Sequence, residues 1–455
     1  MKTSVYQKQA NDAKEKLDSV SPTFCLAKWN QVSLHLPTGM TNSCYHPPLH
    51  KIDAEEIKKN PAALHNTPQK LAERQQMLEG KRPKGCSYCW KIEDTGGTSD
   101  RIYRSGEPWA SQDFESIVGK PIDSEWTPRY VEVNFNHACN FKCSYCSPQF
   151  STTWAKEIDR YGQYPTSPAH NAPEHFQGSR QPIPNREDNP YVTAFWKWWP
   201  TLYKNLKHFR MTGGEPLMDK NTYKVLDYII THPKKDLHLN VTSNMCPPDN
   251  KLKNKYYDMI KRICMEEHVE HMMQFVSVDA FGKKAEYIRH GLEWNKFTDN
   301  VEEFLYRIPE RNSVTFIITY NNLSVTSLDK LLAYIQDLRE RYSKTYQRVW
   351  FDIPLLRQPA WQQITLLPES YQKIHEENIS MMQKPADGYR EFKDFEVQKM
   401  LRNLAYWRKN YSANAQQKNN FYAFFNEHDR RRGTSFEKTF PEMEEFWKEC
   451  KLSNG

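Results

Sequence analysis

The chain has 455 residues and a formal net charge of +7, from 63 basic and 56 acidic side chains interspersed along its length. Hydrophobic residues make up 38%, and 25 Tyr, 22 Phe and 13 Trp supply bulk for burial, which argues against a wholly disordered chain. The small charge excess does not indicate a nucleic-acid partner, and the adjacent Arg430, Arg431 and Arg432 are expected to form a solvated face.

The sequence contains no apolar run of about 18 residues, and its first 17 residues are polar and charged. It therefore predicts neither a membrane span nor a signal peptide, and we expect a cytoplasmic protein. Ten cysteines in such a chain favour metal or redox use over a disulfide scaffold, because the cytosol keeps thiols reduced. The spacing of the cysteines is therefore the main guide to function.

Four cysteines lie in the N-terminal part of the chain. Cys25 and Cys44 enclose Gly39 in a C-x13-G-x4-C pattern, and Cys86 and Cys89 form a CxxC pair. The spacing from Gly39 to Cys44 fits a hairpin that folds back to present two thiolates. Four thiolates can close either an iron-sulfur cluster or a tetrahedral zinc site, and the spacing leaves both open.

From about Arg129 the chain alternates short β-type runs with amphipathic helical segments. This alternation predicts an α/β domain on a parallel sheet, open or curled into a partial barrel. The predicted strands are 130–135, 206–211, 237–242, 273–278, 314–319 and 349–353. The predicted helices between them include 223–230, 253–265, 301–308 and 328–341. Residues after about 366 are predicted to be mainly helical.

A long segment, 147–205, separates the first two predicted strands and is rich in Pro, Gly and Asn between 161 and 190. Long connections inside compact domains are commonly functional or disordered. The segment ends in the aromatic residues Phe195, Trp196, Trp198 and Trp199. These either line a substrate cleft or anchor a helix in the core, and the core role is the expected one.

Cys139, Cys143 and Cys146 form a CxxxCxxC triplet directly after the first predicted strand. Three thiolates can hold three irons of a cubane cluster and leave the fourth iron open, whereas structural zinc normally takes four closed ligands. His137 could complete a Cys3His zinc site, so the triplet alone leaves zinc open. Ligands of parallel βα folds collect at the C-terminal ends of the strands, where this loop begins.

The second predicted strand ends in MTGGEP, in which Gly213 and Gly214 precede Glu215. Paired glycines let backbone groups approach a ligand closely, although a Gly-Gly turn alone is a weak indication of a site. A CxxxCxxC triplet after the first strand followed by GGEP after the second resembles the radical S-adenosylmethionine (SAM) superfamily, over roughly 129–354.

This resemblance implies a partial (β/α)6 barrel of the TIM type in which Cys139, Cys143 and Cys146 hold a [4Fe-4S] cluster. The amino and carboxylate groups of SAM would chelate the open iron. Reductive cleavage of SAM would then yield methionine and a 5'-deoxyadenosyl radical that abstracts a substrate hydrogen. A reducing partner such as a flavodoxin or ferredoxin is implied as well.

The same resemblance implies which individual residues would contact SAM. Tyr145 occupies the aromatic position before the last cysteine and would lie near the adenine. The backbone around Gly213, Gly214 and Glu215 would bind the SAM amino group.

Four polar residues of later segments are further candidates for SAM contacts. Ser277 and Asp279, in SVDA, match the region that contacts the ribose hydroxyls or the carboxylate. Arg289, in YIRHG, resembles an arginine directed at the SAM carboxylate, a pairing that suits a guanidinium. Asn244, in TSN, is a weaker candidate. Without the resemblance, caps and surface ion pairs would be the default roles of Ser277, Asn244 and Arg289.

The four N-terminal cysteines, Cys25, Cys44, Cys86 and Cys89, resemble the auxiliary-cluster modules called twitch and SPASM domains. In most relatives that module follows the barrel, whereas here it precedes it, as in N-terminal twitch radical SAM proteins. The resemblance implies a second [4Fe-4S] cluster that takes an electron from the substrate radical or binds the substrate. A structural zinc site stays open.

Three further cysteines stand outside these two sets. Cys246 follows the third predicted strand, where it could donate hydrogen or bind substrate, but a buried structural thiol is the expected role, as for Cys264 and Cys450. The C-terminal segment 426–447 resembles the tail of N-terminal twitch proteins and indicates no mechanism.

The sequence thus predicts a twitch-like module with its linker over 1–126, a radical SAM core over 127–365 and a helical segment over 366–455. The expected reaction is radical hydrogen abstraction from an unidentified peptide or small molecule, of oxidoreductase or transferase type. The competing class is a zinc-stabilised binding protein without catalytic activity, in which both cysteine sets are structural.

Overall fold

A computed structural model describes residues 5–122 and 124–453 of the chain. The strands in this part are β1 (Gln31–His35), β2 (Met40–Asn42), β3 (His50–Lys51), β4 (Tyr130–Asn134), β5 (Lys142–Cys143), β6 (His208–Thr212), β7 (Lys234–Ser243), β8 (Val269–Ser277), β9 (Arg289–His290), β10 (Ser313–Ile317) and β11 (Val349–Asp352).

The α-helices of the described part are α1 (Val5–Asp18), α2 (Ala27–Asn30), α3 (Ala54–Lys59), α4 (Pro68–Leu78), α5 (Ser87–Glu93), α6 (Asp100–Gly106), α7 (Pro108–Ser111), α8 (Phe114–Val118), α9 (Thr152–Tyr161), α10 (Pro190–Asn205), α11 (Lys220–Thr231), α12 (Asn250–Met265), α13 (Lys283–Ile288), α14 (Trp294–Arg307), α15 (Leu328–Tyr342), α16 (Glu369–Met382), α17 (Asp394–Asn410), α18 (Ala415–Arg432), α19 (Phe436–Thr439) and α20 (Glu444–Leu452). None of these helices is both long and apolar enough to cross a membrane.

Nine of the described strands form one large, mostly parallel sheet in the order β11-β10-β8-β7-β6-β4-β1-β2-β3. The strand β4 pairs in parallel with β6, and β10 pairs in parallel with both β8 and β11. The predicted strands correspond to β4, β6, β7, β8, β10 and β11, which follow one another across the sheet in chain order. The predicted α/β class is confirmed, while curling into a partial barrel stays a prediction.

Three N-terminal strands extend this sheet: the sequence predicted a hairpin near Gly39, which β1 and β2 form, but not the pairing of β1 with β4. β1 pairs in parallel with β4, so that Gln31 lies opposite Tyr130 and His35 opposite Asn134. β2 and β3 then follow in antiparallel pairs. These strands are only five, three and two residues long, too short for an alternating pattern to stand out from the surrounding loops.

The described chain divides into two compact units. The first contains the described residues up to Asn136 together with 182–213 and 236–240, and the second contains 137–181, 214–235 and the described residues from Val241 onward. The three domains predicted from the sequence stay a prediction.

The long segment between β4 and β6 contains two substantial helices. The Ser151 hydroxyl caps α9 by accepting a hydrogen bond from the Trp154 amide at 3.3 Å. The Asn189 side chain caps α10 by accepting from the amides of Tyr191 and Val192, at 2.9 and 3.2 Å. These two helices flank the Pro-, Gly- and Asn-rich stretch 161–190, within which the structure has two short 3-10 helices, Pro173–Phe176 and Gly178–Arg180.

The aromatic residues of α10 belong to the core of the first unit. Phe195, Trp198 and Trp199 are buried, and Phe195 packs edge-on against Phe135 with ring centroids 5.0 Å apart. The expected core role is confirmed for these three side chains, while Trp196 is half-buried.

The predicted helical character after 366 is confirmed by α16 to α20. A fully buried ion pair joins this region to the preceding helices, because Arg339 of α15 lies 2.6 Å from Glu396 of α17. Both side chains are completely excluded from solvent.

Candidate metal and cofactor sites

Backbone contacts fix the loop that carries Cys139, Cys143 and Cys146 between β4 and α9. Lys142 and Cys143 form β5, which pairs antiparallel with β9 and places Cys143 opposite Arg289. The Cys143 carbonyl accepts hydrogen bonds from the Cys146 amide and from Trp154 Nε1, both at 2.9 Å. The three thiols therefore stand on a loop whose central turn is held from two sides.

The three thiols are close enough to affect one another. Cys143 is buried, and Cys139 and Cys146 are half-buried. Burial raises the pKa of each thiol, that of Cys146 to about 12, and repulsion from the Cys143 thiolate raises the pKa of Cys139 and Cys146 further. If all three thiols were deprotonated, a bound cation would be needed to offset their negative charges. Metal binding and thiol deprotonation are coupled for this reason.

The paired glycines after β6 are required by close backbone packing. Gly213 has a φ of +127°, and a Cβ at this residue would lie 2.1 Å from Asn134 Oδ1. A Cβ on Gly214 would lie 2.3 Å from the carbonyl oxygen of Ala138, the residue just before Cys139. The sequence predicted close approach of a ligand at these glycines; in the structure Gly214 is approached closely by the cysteine loop itself.

Glu215 is buried directly after these glycines. Its Oε1 accepts hydrogen bonds from the Ser243 hydroxyl at 2.7 Å and from the Leu217 amide at 3.1 Å, and its Oε2 accepts from the Asn244 amide at 2.7 Å. Burial nevertheless raises the pKa of Glu215 to about 7, because these three donors only partly offset the loss of water. Its own amide donates to the Ala138 carbonyl at 2.7 Å.

Asn244 connects the turn after β7 to the cysteine loop. Its Nδ2 donates to Asn140 Oδ1 at 3.0 Å, and Asn140 Nδ2 donates to the Cys246 carbonyl at 2.7 Å. Asn140 lies immediately after Cys139, so this pair of amides fixes the first cysteine relative to the Glu215 turn. No motif in the sequence indicated this role of Asn140.

Tyr145, Asp279 and Arg289 bind one another in the second unit. Arg289 Nε lies 2.8 Å from Asp279 Oδ2, and the Tyr145 hydroxyl donates to the same carboxylate oxygen at 2.7 Å. Arg289 Nη2 donates to the Tyr145 hydroxyl at 2.7 Å, and Nη1 donates to Cys143 Sγ at 3.7 Å. Burial lowers the pKa of Arg289, but the Asp279 charge outweighs this and the net pKa lies well above its ordinary value. Arg289 therefore stands between a carboxylate and a cluster of thiols.

Ser277 is not drawn into this group. It ends β8 opposite Ile317 and is half-buried. Its hydroxyl forms no hydrogen bond with any part of the chain that the structure describes.

Cys25, Cys44, Cys86 and Cys89 line one cavity in the first unit. All of them except Cys44 are buried. Burial raises the pKa of Cys44 and Cys89 to about 12, and repulsion from the Cys25 thiolate adds to it. The structure thus brings together two cysteine pairs that are far apart in sequence.

Lys28 is a buried cation on the wall of this cavity, with 2% of its side chain exposed. Its Nζ donates to Ser43 Oγ at 3.0 Å and to Cys86 Sγ at 3.5 Å, and forms an ion pair with Glu73. Burial lowers the pKa of Lys28, but Cys86 and Glu73 raise it, and the net pKa lies above its ordinary value. Sequence reasoning missed Lys28 because its partners lie far along the chain.

The expectation of a solvated arginine face is wrong for two of the three arginines. Arg432 is fully buried, lies 3.2 Å from Glu157 and donates to the Lys142 carbonyl at 2.7 Å. Arg431, 2% exposed, donates to backbone carbonyls just after α9, and Arg430 is 60% exposed. The C-terminal end of α18 is therefore anchored on the cysteine loop, 290 residues earlier in the chain.

The other three cysteines, Cys246, Cys264 and Cys450, are buried, as expected for structural thiols. Within residues 5–122 and 124–453, no three His, Cys, Asp or Glu side chains are close enough to share one metal ion. A tetrahedral zinc site needs its donors within about 2.0–2.3 Å of a single ion, whereas a cubane cluster distributes its thiolates over several irons.

Two comparisons with known proteins bear on the identity of the chain. No family model matches it, and a search of the curated proteins gives no match. Its function is therefore inferred from its own residues and their geometry.

Proposed function

We propose that the chain is a radical SAM enzyme that binds a [4Fe-4S] cluster through Cys139, Cys143 and Cys146, cleaves SAM reductively and abstracts a hydrogen from its substrate. The observation that carries this proposal is that the loop of three thiols is packed against the Gly214–Glu215 turn. When bound and reduced, the cluster would supply the electron that converts SAM to methionine and a 5'-deoxyadenosyl radical.

The donor set fits such a cluster better than it fits zinc. The loop offers three thiols, which leave one iron of a cubane free for the amino and carboxylate groups of SAM. A zinc site would need a fourth ligand, for which His137 is the candidate. Sequential addition of β4, β6, β7, β8, β10 and β11 across the sheet is also the strand order of a singly wound barrel.

The surrounding residues have separable roles in this proposal. Arg289 lies beside Cys143 and would stabilise the thiolate form, while Asp279 fixes the orientation of the guanidinium. On SAM binding, Arg289 would contact the SAM carboxylate, and Tyr145 would lie beside the adenine. Ser277, with no protein partner for its hydroxyl in the described chain, is free to bind the ribose.

The turn that follows β6 would bind a different group of SAM, its amino group. The backbone around Gly213, Gly214 and Glu215 would bind the SAM amino group, and the Asn244 amide holds the Glu215 carboxylate in place. Water would be excluded from this turn because Glu215 is buried. These contacts would fix SAM in one orientation at the open iron.

We propose an auxiliary [4Fe-4S] cluster at Cys25, Cys44, Cys86 and Cys89, since these four thiols line one cavity. Four thiolates would leave this cluster no open iron, which suits electron transfer better than SAM binding. The chemistry would be of oxidoreductase type on a peptide or small molecule in the cytoplasm, with a flavodoxin or ferredoxin as reductant.

Two cysteine variants separate the two sites. With SAM and dithionite under anaerobic conditions, Cys139→Ala should form no 5'-deoxyadenosine, whereas Cys86→Ala should form it while binding less iron than the parent. Cys264→Ala removes a buried thiol outside both sites and should keep both properties. Formation of 5'-deoxyadenosine by Cys139→Ala would show that the cleavage site is assigned wrongly.

A further inference from the structure

Buried basic side chains surround the N-terminal cysteine cavity. Lys28, Lys70 and Arg74 are all buried, and Glu73 forms an ion pair with Lys28. Lys70 Nζ donates to the neutral Thr41 hydroxyl at 2.8 Å, and burial lowers the pKa of Lys70 well below its ordinary value, which favours the neutral amine and leaves Lys28 and Arg74 as the charged groups. Burying charge without a counter-charge is costly, so this region is suited to the presence of a further anion.

The cavity thiols are the groups positioned to supply that anion. Lys28 Nζ lies 3.5 Å from Cys86 Sγ and makes its other contacts with Ser43 and Glu73. Arg101 and Arg104 also line the cavity, but Arg101 pairs with Glu93 at 2.8 Å and Arg104 pairs with Glu107 at 3.0 Å. Lys28 is therefore the cation placed for a direct hydrogen bond to a thiolate.

We propose that Lys28 is a positioning residue that donates a hydrogen bond to the Cys86 thiolate of the auxiliary cluster and raises the reduction potential of that cluster. This inference rests on the proposed function for the identity of the cluster.

The physical basis is the change of charge on reduction. Four thiolates around an oxidised [4Fe-4S] core leave the site negatively charged, and one added electron makes it more negative. A buried ammonium interacts more favourably with the reduced site, because Coulomb energy grows with charge and is weakly screened in the interior. Hydrogen bonds to cluster sulfur and the net charge nearby are among the factors that set such potentials.

The test uses the full-length chain with Cys139→Ser, Cys143→Ser and Cys146→Ser, which leaves the N-terminal site as the remaining cluster. After anaerobic reconstitution, the fraction of reduced cluster is followed by electron paramagnetic resonance during a reductive titration. Lys28→Met keeps an unbranched stem but removes the charge. It should lower the ratio of reduced to oxidised cluster at a fixed potential by about tenfold or more, whereas Lys28→Arg should stay near the parent.

Two further variants make the test independent of whether Lys28→Met folds. Glu73→Gln removes the acid that competes for the Lys28 ammonium, so it should change the ratio in the opposite direction and favour reduction. Lys91→Met removes the same charge as Lys28→Met, but from an exposed position on α5 two residues after Cys89. Solvent screening should keep its effect to less than about threefold.

The outcomes separate this inference from the proposed function. An unchanged or raised potential in Lys28→Met, an unchanged or lowered potential in Glu73→Gln, or absence of iron from the triple-serine protein would overturn the role of Lys28. SAM cleavage is assayed separately on the unmodified chain. Cleavage without an N-terminal cluster contradicts this inference and the auxiliary cluster on which it rests, but not SAM cleavage at Cys139. The predicted shifts without cleavage contradict only SAM cleavage.

Discussion

Gly214 and Glu215 show how single residues constrain the cysteine loop. The Gly214 Cα faces the Ala138 carbonyl at a distance that leaves no room for a side chain, and the next amide donates to that same carbonyl. Glu215 then accepts three hydrogen bonds in a site closed to water. The position of Cys139 therefore depends on two residues that are not themselves metal ligands.

Gly214→Ala should disturb the cysteine loop selectively. A Cβ 2.3 Å from a backbone oxygen must displace that backbone, and overpacking of this kind costs about 1–3 kcal/mol. We expect roughly tenfold less 5'-deoxyadenosine and loss of iron from the Cys139 site, with the N-terminal iron retained. Gly119→Ala is the matched control, because its φ is −83° and its nearest neighbour would lie 3.2 Å away. Equal activity in the two variants would refute the packing role.

Glu215 should make the stability of the metal-free protein depend on pH. Its pKa is about 7 in the folded state, above the value of about 4.3 expected when unfolded. Its stabilising contribution is therefore complete below the unfolded pKa and is lost as the pH rises through the folded one. Relative to Glu215→Gln, the parent should lose on the order of 3 kcal/mol in unfolding free energy between about pH 4 and pH 8. Urea unfolding at several pH values measures this difference, and parallel pH profiles would rule it out.

At the scale of elements, the six central strands were predictable because each is a hydrophobic run followed by an amphipathic helix. The short strand β1 was not, since its five residues acquire their role only by pairing with β4. The helices α9 and α10 were hidden by the Pro-rich composition between them. The burial of Arg432 could also not be predicted from the sequence, because Glu157 and the Lys142 carbonyl become its neighbours only after folding.

Arg432 should anchor α18 to the cysteine loop. Arg432→Met leaves buried Glu157 with Lys142 as its cationic partner and removes the hydrogen bond to the Lys142 carbonyl. We expect a loss of roughly 2–4 kcal/mol in unfolding free energy and less iron at the Cys139 site. Arg430→Met, at an exposed position, should change stability by no more than about 0.5 kcal/mol. Urea titration compares the two, and equal midpoints would contradict the anchoring role.

For the whole molecule, both cysteine sets were predicted from the sequence, and the structure places each set within its own unit. The cysteine spacings were informative because clusters and metal ions demand several thiolates. The roles of the residues around the thiols could not be predicted from the sequence, because Lys28 and Asn140 belong to no motif. The Asp279 and Arg289 ion pair emerged only from the fold, although both residues had been singled out.

The most direct test of the central claim is iron and sulfide analysis of anaerobically purified protein, followed by incubation with SAM and dithionite. Two [4Fe-4S] clusters predict about eight irons per chain, and an active site predicts formation of 5'-deoxyadenosine. Stoichiometric zinc in place of iron, with intact SAM after incubation, would contradict the account and identify a metal-stabilised binding protein.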